Sequence, residues 1–298
     1  MKSLFRCPLC GTPLEREETR WLCPNRHSFD RAAAGYVHLL PANKKHSKDP
    51  GDDKAMVAAR SAFLDKGYYA PLRDSLCKVI LQYIERRSAP VILDSGCGEG
   101  YYTAGLFQGL TEAGLAPRIA GVDLSKAALR RAAKRLPEAE FAVASVYHLP
   151  LPDRSADVLV NIFSPLAAEE FARVLRPGGL FCYAVPSARH LWEMKEVLYR
   201  EPYENPSKRE DYPGFVWRGV REIRYTADLD AGADIMALFH MTPYAWKTPK
   251  EGICRLEALD RLTCTCIKGN RHANSPLEKG GCPAHFSSAT VTPSSPSP

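Results

Sequence analysis

Short apolar runs alternate with segments of helical spacing between residues 89 and 266. A buried strand gives a continuous apolar run, whereas an amphipathic helix repeats its apolar residues every three or four positions. Parallel strands need a crossover connection, so strands separated by helices predict a parallel, doubly wound sheet and the α/β fold class. The predicted strands are 90–94, 118–123, 140–145, 156–163 and 180–185, and the predicted helices include 101–114 and one that Ser125 opens as its N-cap.

The two ends of the chain differ from this alternation. The first residues carry Cys and His among turn residues, and residues 39–60 contain Pro, Gly and mixed charge before a helix that begins near Asp53. The final residues are rich in Ser, Thr and Pro, a composition typical of disorder. The predicted organisation is a small module at 1–38, a linker and helical segment at 39–88, the α/β domain at 89–266 and an atypical, disordered tail at 267–298.

Length and charge indicate how many domains the chain forms and what kind of partner it binds. The 298 residues provide for one large α/β domain with a small appendage. We find no apolar run of about 18 residues and no signal-peptide pattern, so we expect a cytoplasmic protein with no membrane partner. Residues 1–60 hold eleven Lys and Arg against seven Asp and Glu, while residues 61–246 hold 22 against 23. A basic end on a near-neutral body suits docking on a polyanion.

The first module carries two pairs of candidate metal ligands. Cys7 and Cys10 form one Cys-x-x-Cys pair, and Cys23 with His27 forms a second after twelve intervening residues. Two such pairs can complete a tetrahedron, and a set of three Cys and one His suits structural zinc. The alternatives are unrelated reduced cysteines with a surface His27, or a redox role for the first pair, which lacks a thioredoxin-like context.

A glycine-rich loop follows the first predicted strand of the α/β domain. Gly96, Gly98 and Gly100 come directly after Asp94 and before a helix, where a ligand can approach the backbone and the helix N-terminus. Their spacing differs from that of the dinucleotide fingerprint. Asp123 ends the next strand, where a carboxylate can accept both hydroxyls of a ribose. A plain strand-to-helix turn and an Asp that caps the following helix are the alternative interpretations.

The glycine loop resembles motif I of the class I methyltransferases, and LPLPDRSADVLVN and VLRPGG resemble later landmarks of the same Rossmann-like fold. Over about residues 5–250 the chain resembles the ribosomal RNA large-subunit (guanine-N1-)-methyltransferase family (RlmA-like). The motifs that carry this resemblance are CPLC…CPNRHSFD, GYVHLLP, DPGDDKAMVAARSAFLDKGYYAPLRD, LDSGCGEGYYT, ARHL and MTPYAW.

The resemblance implies two bound groups. Zinc would be held by Cys7, Cys10, Cys23 and His27. S-adenosylmethionine would lie near Asp94, Gly96 and Gly100, and the family's contacts fall on Tyr69, Gly98, Glu99, Asp123 and His190. Without the resemblance, Tyr69 is typical of a core aromatic residue and His190 of a surface residue at a helix start.

The implied reaction transfers a methyl group to N1 of one guanine in a hairpin loop of 23S rRNA. Positioning supplies much of the catalysis of such a displacement, but the N1 proton also needs an acceptor. The sequence does not identify this acceptor, so the catalytic residue is unknown. The segment from Asn161 to Pro165 does not match the Asn/Asp-Pro-Pro-aromatic motif of exocyclic-amine methyltransferases, which disfavours adenine N6 as the target.

We expect the zinc module to help in recognising RNA, because it is basic and a single-stranded loop needs contacts beyond the cofactor pocket. On this interpretation, Cys23→Ala should lower activity on RNA and spare the cofactor affinity. Lys44, Lys45 and Lys48 either contact phosphates or belong to a solvated linker. A homodimer is one of the assemblies compatible with the sequence. The rival functions are a small-molecule methyltransferase of the same fold and a zinc-dependent RNA-binding protein without turnover.

The resemblance ends before the chain does. A final strand pair should complete the sheet edge after Trp246, and residues 256–266 can begin it. Residues 267–298 have no counterpart that we can align, which suggests a changed reading frame or stop signal near residue 266 and an incomplete edge strand. The residues Cys264, Cys266, Cys282 and His285 allow a second zinc site, but their spacing is irregular.

Overall fold

The computed structural model describes residues 2–41, 51–84, 87–206 and 212–275. The N-terminal module is a small antiparallel sheet in which each strand pairs with the next. Its strands are β1 (Lys2–Arg6), β2 (Pro13–Arg16), β3 (Arg20–Leu22) and β4 (Ser28–Asp30).

A second sheet of eight strands forms the body of the molecule. Its strands are β5 (Val37–His38), β6 (Val91–Ser95), β7 (Arg118–Asp123), β8 (Glu140–Val143), β9 (Ala156–Ile162), β10 (Leu175–Pro186), β11 (Val216–Leu229) and β12 (Leu262–Asn274). Their order is β11-β12-β10-β9-β6-β7-β8-β5. The strands from β10 to β5 pair in parallel, whereas β12 is antiparallel to both β10 and β11. The predicted parallel, doubly wound α/β sheet is confirmed.

The helices connect these strands. They are α1 (Lys54–Asp65), α2 (Ala70–Ile84), α3 (Tyr101–Glu112), α4 (Lys126–Arg135), α5 (Ala168–Val174), α6 (Trp192–Leu198), α7 (Gly232–His240) and α8 (Lys250–Glu257), with a 3-10 turn at Pro243–Trp246. The predicted cap at Ser125 is present, and the helix predicted to begin near Asp53 has Asp53 as its N-cap. Asp53 accepts a hydrogen bond from Met56 N at 2.9 Å, and Ser125 accepts one from Ala128 N at 3.2 Å. Among the described residues, no helix is long and apolar enough to cross a bilayer.

Alternate residues of the central strands fill two cores. On one face, Ile92 and Val158 pack with Leu76 of α2 and Leu106 of α3. The opposite face buries Leu93 and its neighbours against the N-terminal module, whose fully buried Phe5, Leu14 and Trp21 belong to the same cluster. Parallel strands that are covered on both faces have continuous apolar runs in their sequence, which is why the sequence pattern predicted them.

The N-terminal boundaries differ from the predicted ones. Val37 pairs with Ala142 in the central sheet, and α2 contributes Leu72, Leu76 and Ile80 to its core. The segment predicted as linker and helix therefore belongs in large part to the α/β domain. Lys44, Lys45 and Lys48 lie outside the described residues.

The C-terminal prediction was wrong at residue 266. Strand β12 continues to Asn274 and pairs on both sides, so the last strand pair is not left incomplete. Backbone hydrogen bonds to two neighbours hold this strand although Gly269 and Asn270 disfavour it, because strand preference depends strongly on context. Cys264 and Cys266 are buried in an apolar cluster with Met194 and Leu238. Cys282 and His285 lie outside the described residues, so the second zinc site stays an alternative that the irregular spacing disfavours.

Candidate functional site

The four predicted metal ligands converge at one point. The ligand atoms of Cys7, Cys10, Cys23 and His27 all lie within 4.8 Å of one another. Cys10 Sγ is 3.7 Å from Cys23 Sγ, and His27 Nδ1 is 3.4 Å from the sulfurs of Cys7 and Cys23. Tetrahedral zinc with bonds of about 2.0–2.3 Å requires ligand separations of roughly 3.5–3.8 Å. The residues therefore fit zinc.

Two tight turns hold these ligands in place. Gly11, in the left-handed conformation, donates its N–H to Cys7 O at 2.8 Å. Arg26 N donates to Cys23 O at 2.9 Å, and Cys23 N donates to His27 O at 3.1 Å. Hydrogen bonds from Thr12 lower the pKa of Cys10 to about 5, which favours the thiolate that a metal needs.

The module is fixed to the central sheet by polar contacts as well as by its core. Glu140, buried at the start of β8, accepts hydrogen bonds from Ser3 Oγ at 2.5 Å and from Leu4 N at 3.0 Å. Arg118 donates to Lys2 O and also contacts Glu140. The metal centre thus belongs to a structural unit continuous with the α/β domain.

The glycine loop lies at the carboxyl end of β6. Gly96, Gly98 and Gly100 all have positive φ angles, which glycine adopts without strain. A Cβ at Gly96 would overlap Ser164 Oγ at 2.0 Å, and one at Gly100 would approach Ala132 at 3.0 Å. The loop is therefore packed tightly between the β9–α5 turn and α4.

Asp123 ties this loop to the next helix. Its carboxylate accepts hydrogen bonds from Gly98 N at 3.0 Å and from Ser125 N at 2.8 Å. The helix-cap alternative thus describes part of its role, because Ser125 is the N-cap residue of α4. Asp52 O accepts a hydrogen bond from Ser125 Oγ at 2.6 Å, and Gly51 also lies close to Ser125.

Three acidic side chains lie close together around the loop. Asp94 and Glu99 are each 2% exposed, and the Asp94 carboxylate accepts a hydrogen bond from Thr103 Oγ1 at 2.6 Å. Burial, reinforced by the charges of Asp123 and Glu99, raises the pKa of Asp94 to about 7. Burial also raises the pKa of Glu99 and of Asp123. A cationic ligand beside these carboxyls would relieve their mutual repulsion.

Tyr69 and His190 are both buried at the same end of the sheet. The Tyr69 ring packs against Phe63 and lies 6.5 Å from the ring centroid of Phe163. His190 Nδ1 accepts a hydrogen bond from Ile267 N at 3.2 Å, and burial lowers its pKa well below the usual value. His190 is 6% exposed, so the surface alternative for this residue was wrong.

The β9–α5 turn shapes the site in a way that the sequence did not reveal. Asn161 Nδ2 donates to Ser95 O at 3.2 Å and to Pro165 O at 3.1 Å. These bonds hold Ser164 against the glycine loop and place Phe163, with φ of 53°, beside Tyr69. The sequence signal was the segment from Asn161 to Pro165, which served only to disfavour another class of methyltransferase.

Comparison with known proteins agrees with this arrangement. Residues 5–48 match the zinc ribbon model described as "RlmA, N-terminal", and residues 93–183 match the model described as "Methyltransferase domain". The "23S rRNA (guanine(748)-N(1))-methyltransferase" of Streptomyces fradiae is 35% identical over 257 residues, covering 84% of this chain and 89% of the relative. The Bacillus subtilis protein named "Putative 23S rRNA (guanine-N(1)-)-methyltransferase YxjB" is 36% identical over 272 residues, covering 88% and 94%.

These relatives confirm the resemblance on which the fold, the methyl donor and the zinc were expected. The chain therefore belongs to the 23S rRNA (guanine-N1-)-methyltransferase family, as an S-adenosylmethionine-dependent enzyme with an N-terminal zinc ribbon.

Proposed function

We propose that this protein transfers the methyl group of S-adenosylmethionine to N1 of one guanine in a hairpin loop of 23S rRNA. The observation that carries the proposal is that a zinc ribbon packs against the same eight-stranded sheet that carries a glycine loop surrounded by buried carboxyls. The names of the relatives supply the base and the RNA. We place the protein in the cytoplasm with its rRNA, and its assembly as a homodimer stays a prediction.

In this proposal the cationic methyl donor lies along the glycine loop. Asp123 accepts hydrogen bonds from the ribose hydroxyls, and Asp94 and Glu99 stabilise the positive charge of the amino acid end. Gly96, Gly98 and Gly100 let the donor approach the backbone. Tyr69 and His190 border the methyl group. When bound, the donor supplies a carbon attached to a positively charged sulfur leaving group, so the protein's main task is to align the guanine with that carbon.

The zinc ribbon would contribute to binding the RNA. It is basic, and its exposed Arg26 can contact phosphates, whereas the exposed Arg20 is paired with Glu17 at 2.8 Å. Zinc, when bound, supplies the cross-link that holds the two ligand turns together. The ribbon also supports the domain that binds the donor, because Phe5 and Trp21 share a core with the central sheet.

Donor affinity should depend on pH through Asp94. In the protein without the donor, the pKa of Asp94 is about 7. A bound cation favours the ionised carboxylate, so donor binding should release a proton. Affinity is therefore expected to rise by up to about tenfold per pH unit below about pH 7 and to level off above it. Calorimetric titration of the donor across this range measures the slope, and Asp94→Asn should abolish it. An unchanged slope in that variant would assign the proton to another group.

The function itself can be tested with labelled S-adenosylmethionine and unmodified 23S rRNA fragments. We expect label at N1 of a single guanine, seen as one stop in reverse transcription because the modification blocks Watson–Crick pairing. A transcript with adenine at that position is the control and should stay unlabelled. RNA binding without label would support a zinc-dependent RNA-binding protein without turnover. Methylation of small molecules alone would support a small-molecule methyltransferase.

A further inference from the structure

Lys268 is a lysine in an unusual environment. It lies in β12, its side chain is fully buried, and its Nζ atom has no hydrogen-bond partner among the described residues. Buried amines normally have partners, because leaving one unsatisfied costs free energy. Lys195 shows the usual arrangement: it is also fully buried, but its Nζ donates to Tyr203 O at 2.6 Å and to Asn205 Oδ1 at 2.9 Å.

The unpartnered amine points to the end of the sheet where the donor site lies. Lys268 Nζ lies against the face of the Tyr69 ring and 5.0 Å from the ring centroid of Phe163. Phe163 is followed by Ser164, which contacts Gly96 of the glycine loop, and it is itself 48% exposed. The exposed part of Phe163 offers a surface on which a flat base can stack, next to the residues that bury the amine.

The surroundings of Lys268 favour a neutral amine. The titratable groups that face it are Tyr69, His190 and Cys266, with Tyr225 behind Cys266, and none of these is a carboxylate. Burial lowers the pKa of Lys268 well below its usual value. The two aromatic faces favour the ammonium form, whereas the desolvation of an ion in this buried position disfavours it. The desolvation cost prevails, so the amine can accept a proton.

We propose that Lys268 accepts the proton from N1 of the target guanine. This inference rests on the proposed function, which requires such an acceptor and had not identified one. The N1–H bond breaks and the proton joins the lone pair of Nζ, while the electron pair of N1 forms the bond to the methyl carbon. The carbon–sulfur bond breaks and its electron pair stays on sulfur. One positive charge thus moves from the sulfonium to the ammonium, and the proton passes to solvent after the products leave.

Tyr69 and Phe163 have a second role in this scheme, because their faces stabilise the ammonium as it forms. The motifs that carry the family resemblance end at Trp246, so they do not supply this role for Lys268.

The test compares Lys268→Met with Lys195→Gln in single-turnover methylation of the rRNA fragment. Lys268→Met removes an unpartnered buried amine, so its Tm should not fall, while its rate should fall about 10²–10⁴-fold with donor affinity little changed. Lys195→Gln alters a buried lysine with hydrogen bonds, so it should lower Tm and leave the pH dependence of the methylation rate unchanged. The rate of Lys268→Met should rise steadily in alkaline solution, where guanine itself loses the N1 proton.

Two further measurements still test the proposal if Lys268→Met fails to fold. In Lys268→Ala, added small primary amines should restore part of the rate, in proportion to their basicity. In the unaltered protein at saturating donor, the single-turnover rate should depend less steeply on pH in alkaline solution than in Lys268→Met or Lys268→Ala, because the neutral amine takes the N1 proton without prior ionisation of guanine. A folded Lys268→Met with the original rate, pH profiles of equal steepness in the proteins with and without Lys268 or rescue that ignores amine basicity would overturn the proposal. If the unaltered protein methylates no guanine, the proposed function fails instead.

Discussion

Replacing Cys23 by Ser is expected to release the metal, unfold the zinc ribbon and lower the stability of the whole chain. Cys23 Sγ is one of the four converging ligand atoms, and Cys23 lies in the core cluster with Phe5 and Trp21. Structural zinc contributes about 10–16 kcal/mol of apparent binding free energy in small ribbons, most of which acts as folding energy. Losing a ligand should therefore affect donor binding as well as RNA methylation.

This predicted outcome differs from the expectation drawn from the sequence, in which changing Cys23 spares the donor affinity. That expectation treated the module as an independent appendage. The structure instead shows one apolar cluster that extends from Trp21 to Leu93 and Val122 of the central sheet, with Glu140 bridging the two sheets. Loss of the ribbon would expose that face of the sheet to water, at about 25 cal/mol for each Å² of apolar surface.

The measurements are the zinc content and Tm of the Cys23→Ser protein and its affinities for the donor and for the RNA. Cys254→Ser is the matched control, because Cys254 is exposed and lies outside the ligand cluster. It should retain zinc, Tm and both affinities. A Cys23→Ser protein that loses zinc but keeps the Tm and donor affinity of the control would show that the ribbon serves the RNA alone.

The sequence predicted well the features that depend on local pattern. Strand β7 was predicted with its exact ends, the predicted cap at Ser125 is present and a helix begins next to Asp53 as predicted, because strand periodicity and capping are properties of short segments. The zinc ligands were found from their spacing alone. The strand pattern and the cap each lie within one short segment, and the zinc ligands lie in two short segments of similar pattern.

Features that depend on distant partners were not predictable in this way. Strand β12 was missed beyond residue 266 because its pairing with β10 and β11 comes from the backbone, while side chains such as Gly269 are poor strand formers. The contact of Ser164 with Gly96, 68 positions earlier in the chain, leaves no signal at either residue. The burial of Lys268 is of the same kind, because an isolated lysine in a sequence is typical of an exposed surface.

The contact between Ser164 and Gly96 leads to the second large effect. Gly96→Ala is expected to abolish methyl transfer and weaken donor binding strongly. A Cβ at this position would lie 2.0 Å from Ser164 Oγ, so the β9–α5 turn must shift. Asn161 braces that turn with two hydrogen bonds, so the shift would break this bracing and move Phe163 away from Tyr69.

Backbone strain alone does not explain this expectation, and the chain contains a control that separates the two causes. Gly114 has φ of +82°, nearly the same as the +81° of Gly96, but a Cβ there meets nothing within 4 Å. Gly114→Ala should therefore cost only the left-handed backbone penalty of about 1–2 kcal/mol, seen as a lower Tm with methyl transfer retained.

The double variant Gly96→Ala with Ser164→Gly removes the overlap and keeps the backbone strain. It should recover donor binding toward the level of the unaltered protein, measured by calorimetry, while its Tm falls as in Gly114→Ala. Equal activity of Gly96→Ala and Gly114→Ala would mean that the turn yields without cost, and the close packing of the loop would then have no part in holding the donor. Recovery in the double variant alone would assign the effect to the contact between these two residues.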